Sequence, residues 1–267
     1  MSPRAQLSSL ESEGKPRLTA IILTKNEQKN VVPCIDSLAW CEEIVIFDDY
    51  SSDRTAELAH QMGARVVHHT FVDFAQQRNA ALDFVESDWA FFVDADERAT
   101  PELASEIQLA VQQEDKTGWW VPRHNYIFGR LTFGAGYFPD YQLRVLRLGH
   151  GRYVRPASEI VALEGEAGYL TRPLIHLNYE TIAQFHAKQK SREGFEAVVL
   201  HQQGIRVRPR TFVGQPIQEF WRRFVTLRGY RDGWHGLRLC LLLAYYSGWR
   251  NYVRLWQMRR SGELPEL

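Results

Sequence analysis

The chain has 267 residues, of which 45% are hydrophobic and 12% aromatic, and this composition excludes an intrinsically disordered protein. The formal net charge is zero, but the charge is unevenly distributed. Residues 204–260 carry twelve arginines against two acids, Glu219 and Asp232. An acidic front and a basic, aromatic back predict different partners for the two parts of the chain.

Signals for a cellular compartment are few. Residues 1–16 are polar and lack the apolar core of a secretory signal, so none is expected. No apolar run approaches the ~20 residues that a membrane-spanning helix requires. The cysteines lack zinc-binding spacing and favour free thiols in a reducing compartment; they are Cys34, Cys41 and Cys240.

The first part of the chain alternates between apolar, β-branched segments and amphipathic ones. Residues 1–17 are predicted to be a flexible lead-in. Strands are then predicted at 18–24, 43–49, 64–69 and 89–93, and helices at 30–40, 54–62, 74–86 and from Thr100 onward. The predicted fold class is therefore α/β, with a mainly parallel, doubly wound sheet. Neither a Gly-x-Gly-x-x-Gly nor a Walker sequence is present, which disfavours a dinucleotide dehydrogenase or a P-loop enzyme.

The pattern changes from Gly118 onward, where glycine-rich turns separate the predicted elements. The expected strands are 119–128, 141–148 and 160–163, and the expected helices are 180–203, 215–228 and 236–259. A glycine-rich loop at 129–136 is expected to face the sheet edge. This pattern predicts one large domain at 18–205, in halves 18–117 and 118–205, and a basic, aromatic helical extension at 206–267.

Polar and acidic side chains follow three of the predicted parallel strands. The sets are Thr24, Asn26 and Glu27; Asp48 and Asp49; and Asp94, Asp96 and Glu97. The carboxyl ends of parallel strands lie on one edge of a sheet, so these sets should converge. Neighbouring carboxylates repel each other unless a cation offsets them, and a hard divalent ion also leaves positions for phosphate oxygens. Convergence therefore favours a metal and diphosphate site over the alternative of an ordinary acidic loop.

Four motifs resemble those of glycosyltransferase family 2, whose members have the GT-A fold. They are TKNE at 24–27, DDYSSDRT at 48–55, QRN at 77–79 and DADE at 94–97. The resemblance continues in FPDYQLRVLR at 138–147, GRY at 151–153, SEIVALEG at 158–165 and LIHLNY at 174–179. These later segments are similar to the branch that includes lipopolysaccharide inner-core β-1,4-glucosyltransferases. The resemblance implies a GT-A catalytic domain whose first half binds a nucleotide sugar and whose second half binds the acceptor.

The resemblance also implies roles for individual residues in binding the nucleotide sugar. Asp49 would accept a hydrogen bond from uracil, supported by Asp48, although either acid could instead cap the following helix. Arg78 would reach the nucleotide or its phosphates, the alternative being a helix-surface arginine. The other implied nucleotide-sugar contacts are Thr24, Asn26, Glu27, Asp94, Ala95 and Arg144. For Thr24 and Glu27 the alternative is a cap on the first helix, and for Arg144 it is a solvated or ion-paired side chain.

The resemblance implies a metal and a base. Asp96 would bind Mn²⁺ or Mg²⁺ directly, while Asp94 would bind either the metal or the ribose. Inversion requires a carboxylate that removes the proton of the acceptor hydroxyl. Glu159 is the first candidate and Asp140 the second. Many relatives carry His-Glu where this chain has Ser158-Glu159. Any role that the histidine has in those relatives is therefore in doubt for this chain. His176 could face the metal or a phosphate, but a structural histidine is favoured.

The expected function is metal-dependent, inverting transfer of a hexose, namely glucose from UDP-glucose, to a sugar hydroxyl of a membrane glycolipid such as the lipopolysaccharide core. The basic, aromatic helices would make peripheral contact with the inner face of the cell membrane from the cytoplasm, or would simply pack on the catalytic domain. No nucleic-acid partner is expected. The alternatives are a polyprenyl phosphate or protein side chain as acceptor, and a non-catalytic nucleotide-sugar-binding protein.

Overall fold

The computed structural model describes residues 16–154 and 160–263. The predicted lead-in at 1–17 and the candidate base Glu159 therefore lie wholly or almost wholly outside the described residues. The chain forms two compact units. The first contains residues up to Arg123 together with Tyr141–His176, and the second contains His124–Asp140 and Leu177–Leu267.

The first unit is built on a twisted sheet with helices on both faces. Its first four strands are β1 Leu18–Thr24, β2 Glu43–Asp48, β3 Arg65–His68 and β4 Trp89–Asp94. The helices of this unit are α1 Val31–Ser37, α2 Thr55–Gln61, α3 Phe74–Phe84 and α4 Pro101–Ala110. The four strands lie in the order β3-β2-β1-β4 and all pair in parallel. The predicted α/β fold is confirmed, and these four strands are parallel as expected.

The apolar strands are continuous because both faces of the sheet are covered. In β1, Ala20 and Ile22 pack into one core cluster with α1 and α4, whereas Ile21 packs into the other with α3. In β4, Phe91 and Phe92 divide between the two clusters in the same way. Successive side chains of a strand point to opposite faces, so a doubly covered strand must be apolar at every position.

Local capping signals mark some of the helix starts. Thr100 caps α4, since its hydroxyl accepts a hydrogen bond from the Leu103 amide at 3.1 Å. Asp53 precedes α2 and is a residue type typical of an N-cap, but the N-cap of α2 is Arg54. The carboxylate of Asp53 instead accepts the amides of Thr55 at 3.0 Å and Gln28 at 3.2 Å. It therefore ties the loop after β1 to the start of α2.

The remaining strands of the chain are mostly short or antiparallel. They are β5 Glu97–Ala99, β6 Gly118–Ile127, β7 Arg130–Leu131, β8 Tyr141–Arg147, β9 Gly151–Tyr153, β10 Val161–Leu163, β11 Ala167–Tyr169 and β12 Leu174–Tyr179. Strand β8 runs antiparallel to both β4 and β6, which makes the sheet mixed beyond β4. Strand β5 pairs antiparallel with β12, and this pairing places His176 opposite Glu97.

The second unit is mainly helical. Its helices are α5 Ile182–Gln202, α6 Thr211–Trp221, α7 Gly233–Leu243 and α8 Asn251–Ser261. A π-helical turn at Arg222–Thr226 extends α6, and another at Ala244–Arg250 joins α7 to α8. The predicted last helix is therefore continuous but longer than expected. No helix in the described part of the chain is long and apolar enough to span a bilayer.

Two close contacts shape the second unit. Helix α6 begins four residues before its predicted start and contains Pro216, against which Gly248 packs; a Cβ atom at Gly248 would lie 2.6 Å from the proline Cα. In the loop predicted at 129–136, two residues form β7. The carboxylate of Asp232 then accepts the amide of Gly134 at 2.8 Å, and this contact fixes the loop against the later helical segment.

Candidate functional site at the carboxyl edge of the sheet

The ends of β1 and β2 meet through a buried hydrogen bond. Thr24 pairs with Asp48 in the sheet register, and the Thr24 hydroxyl donates to Asp48 Oδ1 at 2.9 Å. Asp48 is fully buried, and its Oδ2 accepts the Ser51 amide at 2.8 Å and lies 3.3 Å from His68 Nδ1. With its oxygens engaged in these internal contacts, Asp48 supports the turn that follows β2.

Asp49 is the more accessible of the two adjacent acids. Its Oδ1 accepts the Phe71 amide at 3.0 Å, and its Oδ2 lies 3.1 Å from Lys25 Nζ. The Phe71 hydrogen bond, followed by the hydrogen bond from Lys25, lowers the pKa of Asp49 below its usual value. The carboxylate is therefore ionised and held in place while part of it faces solvent.

The loop after β1 is held by side chains rather than by a helix cap. Asn26 has a left-handed backbone with φ of 57°, and its amide carbonyl accepts the Ser52 amide at 2.8 Å. The amide of Glu27 donates to the Thr55 hydroxyl at 2.7 Å. The Glu27 carboxylate accepts from the Asn30 side chain at 2.8 Å, so it contacts the N-cap residue of α1.

Asp94 ends β4 between two arginines. Its Oδ2 lies 2.6 Å from Arg144 Nη2, and its Oδ1 lies 3.2 Å from Arg78 Nη2. Burial alone would raise the pKa of Asp94, but Arg144 and then Arg78 outweigh it and hold that pKa well below its usual range. Arg144 is thus ion-paired, the alternative that the sequence left open, and Arg78 is buried rather than on a helix surface.

Glu97 is the buried centre of this network. Its Oε1 lies 2.8 Å from Arg144 Nη2 and 3.2 Å from Arg123 Nη1, while its Oε2 accepts the Asp94 amide at 2.8 Å. Burial raises the pKa of Glu97, and the two guanidinium groups oppose that rise. The side chain closes the turn between β4 and β5 and fixes where Asp94 and Asp96 point.

Asp96 stands apart from the arginine network. It is partly exposed, and its Oδ2 lies 3.5 Å from Nε2 of His176. The sequence favoured a structural role for His176, yet the structure places its ring against the predicted metal ligand. Ala95, between the two aspartates, is buried against the core of the sheet.

The three residues of the QRN motif have different partners. Gln77 Oε1 lies 2.7 Å from Nδ1 of His69, after β3. Arg78 contacts Asp94, as described. The side chain of Asn79 exchanges two hydrogen bonds of 2.9 Å with the backbone of Tyr153 in β9. The motif therefore joins α3 to three separate elements of the first unit.

Of the two base candidates, only Asp140 lies within the described residues. Glu159 lies outside the described residues. Asp140 belongs to the second unit, where its Oδ2 accepts from the Asn125 side chain at 2.9 Å. Sequence reasoning did not single out Arg123 and found no role for Glu97. The only signal for Arg123 was its position after the apolar start of strand β6.

Comparison with known proteins shows which family the sequence of this chain matches. A family model described as "Glycosyl transferase family 2" matches residues 19–158. The lipopolysaccharide core biosynthesis glycosyltransferase LpsC of Rhizobium meliloti is 33% identical over 173 residues, which is 60% of this chain and 62% of LpsC. An uncharacterized glycosyltransferase of Rickettsia felis is 23% identical over 92% of this chain and 90% of its own length. The chain thus spans less than two thirds of LpsC.

Two solved structures align with this chain at low sequence identity and low TM-score. A structure of S. aureus TarS 1-349 aligns over 92% of both chains with 15% identity and a TM-score of 0.46. Glucosyl-3-phosphoglycerate synthase from Mycobacterium tuberculosis, crystallised with Mn²⁺ and UDP, covers 41% of this chain with 18% identity and a TM-score of 0.36. Neither likeness is close enough to assign a residue role.

Proposed function

This chain belongs to glycosyltransferase family 2, and from that premise we propose that it transfers a hexose, with inversion, from a UDP-sugar to a hydroxyl group. One observation carries the proposal. The sheet register sets Thr24 beside Asp48 and Leu23 beside Asp94, so the polar residues of three strand ends share one edge. This edge is where an open α/β sheet binds its ligand.

The donor would lie along this edge. Asp49 offers an ionised, partly exposed carboxylate that suits the N–H of a uracil ring, while Asp48 and Thr24 hold the strand ends behind it. Asn26, Glu27 and the residues after them shape the loop beside it. Arg78 and Arg144 are both held by Asp94, two residues before Asp96, and their guanidinium groups suit the oxygens of a diphosphate.

The proposed metal ligands are chosen by asking which carboxylate oxygens already contact other side chains. Both oxygens of Asp94 contact guanidinium groups, so Asp94 fits a positioning or ribose-binding role better than metal binding. Asp96 and His176 fit Mn²⁺ or Mg²⁺, since they bring a carboxylate oxygen and an imidazole nitrogen to within 3.5 Å of each other. Across the described residues no three such side chains form a metal-binding group, so phosphate oxygens and water would complete the coordination. A metal there would stabilise the charge on the departing UDP.

The base would be Glu159, with Asp140 as the second candidate. Asp140 already accepts a hydrogen bond from Asn125, which suits a carboxylate that positions an acceptor or a loop. The decisive comparison is transfer by Glu159→Gln and Asp140→Asn under identical conditions. Loss of about 10²-fold or more in Glu159→Gln alone supports Glu159. Equal loss only in Asp140→Asn would reverse the assignment, and full activity in both would point to a phosphate acceptor, which needs no strong base.

The acceptor is proposed to be a membrane glycolipid, such as a lipopolysaccharide core, reached at the inner face of the membrane. The similarity to LpsC supports this, and so does an apolar ridge on α6. Val213, Ile217 and Trp221 recur every four residues and are 65%, 63% and 64% exposed. Arginines flank this ridge, as expected for a helix lying at an anionic membrane surface.

The donor proposal is tested by a thermal-shift screen of UDP-, GDP- and dTDP-sugars, each with and without Mn²⁺. A ligand that binds only the folded state raises the melting temperature. The expected result is a rise with UDP-glucose that requires the metal, followed by transfer to a glycolipid acceptor. A rise only with GDP- or dTDP-sugars, or one that is independent of metal, would contradict the proposal.

The membrane proposal is tested by sedimentation with vesicles that contain an anionic phospholipid. The variant Ile217→Ser/Trp221→Ser should reduce binding at least tenfold. Leu109→Ser is a matched control, because Leu109 is similarly exposed on α4 of the first unit. Equal binding by both variants would show that the ridge does not contact the membrane.

A further inference from the structure

The second unit contains an open cavity of about 630 Å³ that belongs to none of the residues discussed above as donor or metal ligands. It lies between the segment that follows α5, the first two turns of α6, and α8. Its lining residues include three arginines and no acid; those that matter here are Arg206, Arg208, Arg210, Gln215, Gln218 and Tyr252. We call it the arginine cavity.

The arginines reach the cavity because the segment carrying them is anchored by alternating residues. Ile205 and Val207 pack against a small apolar cluster that contains Leu255 of α8. In an extended segment alternate side chains point to opposite sides. Arg206 and Arg208 alternate with Ile205 and Val207, so they point away from the apolar cluster. The Thr211 amide then donates to the Arg208 carbonyl at 2.8 Å, and this turn brings Arg210 to the start of α6.

No carboxylate neutralises this charge in the described part of the chain, where none of the three arginines has an ion-pair partner. Glu219, which is the first acid after the cavity segment, is held by Arg222 at 2.8 Å and by Arg223 at 2.6 Å. Other arginines of the unit do have partners, such as Arg250, which pairs with Glu193 at 2.8 Å. The three cavity arginines therefore repel one another without local compensation.

The opposite wall of the cavity is polar, and its side chains are joined by hydrogen bonds. The Tyr252 hydroxyl donates to Gln215 Oε1 at 3.0 Å, and the Gln215 amide nitrogen lies 3.4 Å from Gln218 Oε1. This chain of bonds leaves the Gln218 side-chain amide hydrogens for a ligand. Guanidinium forks with neutral donors opposite them match the oxygens of a phosphate group.

We propose that the arginine cavity is a binding site for a phosphate or diphosphate group, carried either by a soluble molecule or by the headgroup of a membrane lipid. The site is separate from the proposed donor and metal residues, and its ligand binds without a divalent metal. If the proposed glycolipid acceptor is correct, a phosphate on that acceptor is a natural ligand; this identification rests on the proposed function, whereas the phosphate site does not.

The test is calorimetric titration with inorganic pyrophosphate, without divalent metal, of the whole chain and three variants. Arg208→Gln/Arg210→Gln should weaken binding at least tenfold. Arg231→Gln is the matched control, because Arg231 is exposed in the same unit, lies outside the cavity and likewise has no ion pair within residues 16–154 and 160–263. Asp96→Asn, which disables the proposed donor site, should bind pyrophosphate as the unaltered chain does, so failure of one proposal is distinguishable from failure of the other.

Two further measurements locate the site and its source of phosphate. Hydrogen exchange should slow within residues 204–218 when pyrophosphate binds. Vesicles of phosphatidylcholine with and without phosphatidic acid then distinguish the two sources of phosphate. If the ligand is a lipid headgroup, vesicles with phosphatidic acid should bind in a way that depends on Arg208 and Arg210. If the ligand is a soluble phosphate, no such vesicle binding is expected. Absence of arginine-dependent binding to both probes, or equal weakening by Arg231→Gln, would overturn the proposal.

Discussion

The carboxyl edge of the parallel strands and the arginine cavity each gather three guanidinium groups, but they balance the charge in opposite ways. At the edge, Arg78, Arg144 and Arg123 are largely buried, and each contacts Asp94 or Glu97. In the cavity, the three arginines are exposed and have no ion pair among the described residues. Burial makes an unpaired charge too costly to keep, whereas water tolerates it. Charge left unpaired in water is then available to a ligand.

The largest effect is expected when the buried network loses its centre. Glu97→Ala leaves Arg144 and Arg123 buried opposite a gap, and it should lower the free energy of unfolding by about 3–5 kcal/mol in a urea titration. Glu166→Gln is the control, since Glu166 pairs with Lys116 at the surface, where the pair should contribute no measurable stability. Similar stability of both variants would mean that the edge does not depend on buried compensation.

A smaller loss is expected from a change that keeps the charge but not its geometry. Arg144 binds both oxygens of Asp94, through Nη1 at 3.3 Å and Nη2 at 2.6 Å, while Nη2 also contacts Glu97. A lysine ammonium is a single point charge and cannot reproduce this bidentate contact. Arg144→Lys should therefore lower the free energy of unfolding by about 1–3 kcal/mol. A variant as stable as the parent would show that only the charge at this position matters.

The smallest loss of stability in the first unit is expected from removing a hydrogen bond between uncharged groups. Thr100→Ala removes the cap on the Leu103 amide at the start of α4, and about 1 kcal/mol should be lost. Ser105→Ala, on the exposed face of the same helix, is the control. If Thr100→Ala lowered the free energy of unfolding as much as Glu97→Ala, the buried ion-pair network around Glu97 would contribute no more to stability than one helix cap.

The smallest effect is expected in the arginine cavity. Arg208→Gln should leave the melting temperature unchanged within error in dilute buffer, because it removes repulsion and breaks no ion pair. Added pyrophosphate should stabilise the unaltered chain more than this variant. A clear loss of stability without any ligand would show that Arg208 has a structural role.

The sequence predicted the parallel strands and their shared edge because both depend on local patterns. Apolar runs marked β1, β2 and β4, and the acids that ended them marked the edge. The contacts of Glu97 with Arg123 and Arg144 join residues 26 and 47 positions apart, and no local pattern encodes them. Strand β5 has only three residues, two of them charged, and carries too little periodicity to be predicted. The early start of α6 was missed because proline usually stays in the first turn of a helix, whereas Pro216 lies inside.

The central claim is that Asp96 binds the metal that holds a UDP donor, and calorimetric titration of UDP tests it most directly. The unaltered chain and Asp83→Asn, which alters an exposed surface aspartate, should bind UDP far more tightly with Mn²⁺ than without it. Asp96→Asn should lose at least tenfold in Mn²⁺-dependent affinity while its melting temperature in the absence of ligand stays the same. UDP binding by Asp96→Asn with undiminished dependence on Mn²⁺ would contradict the account.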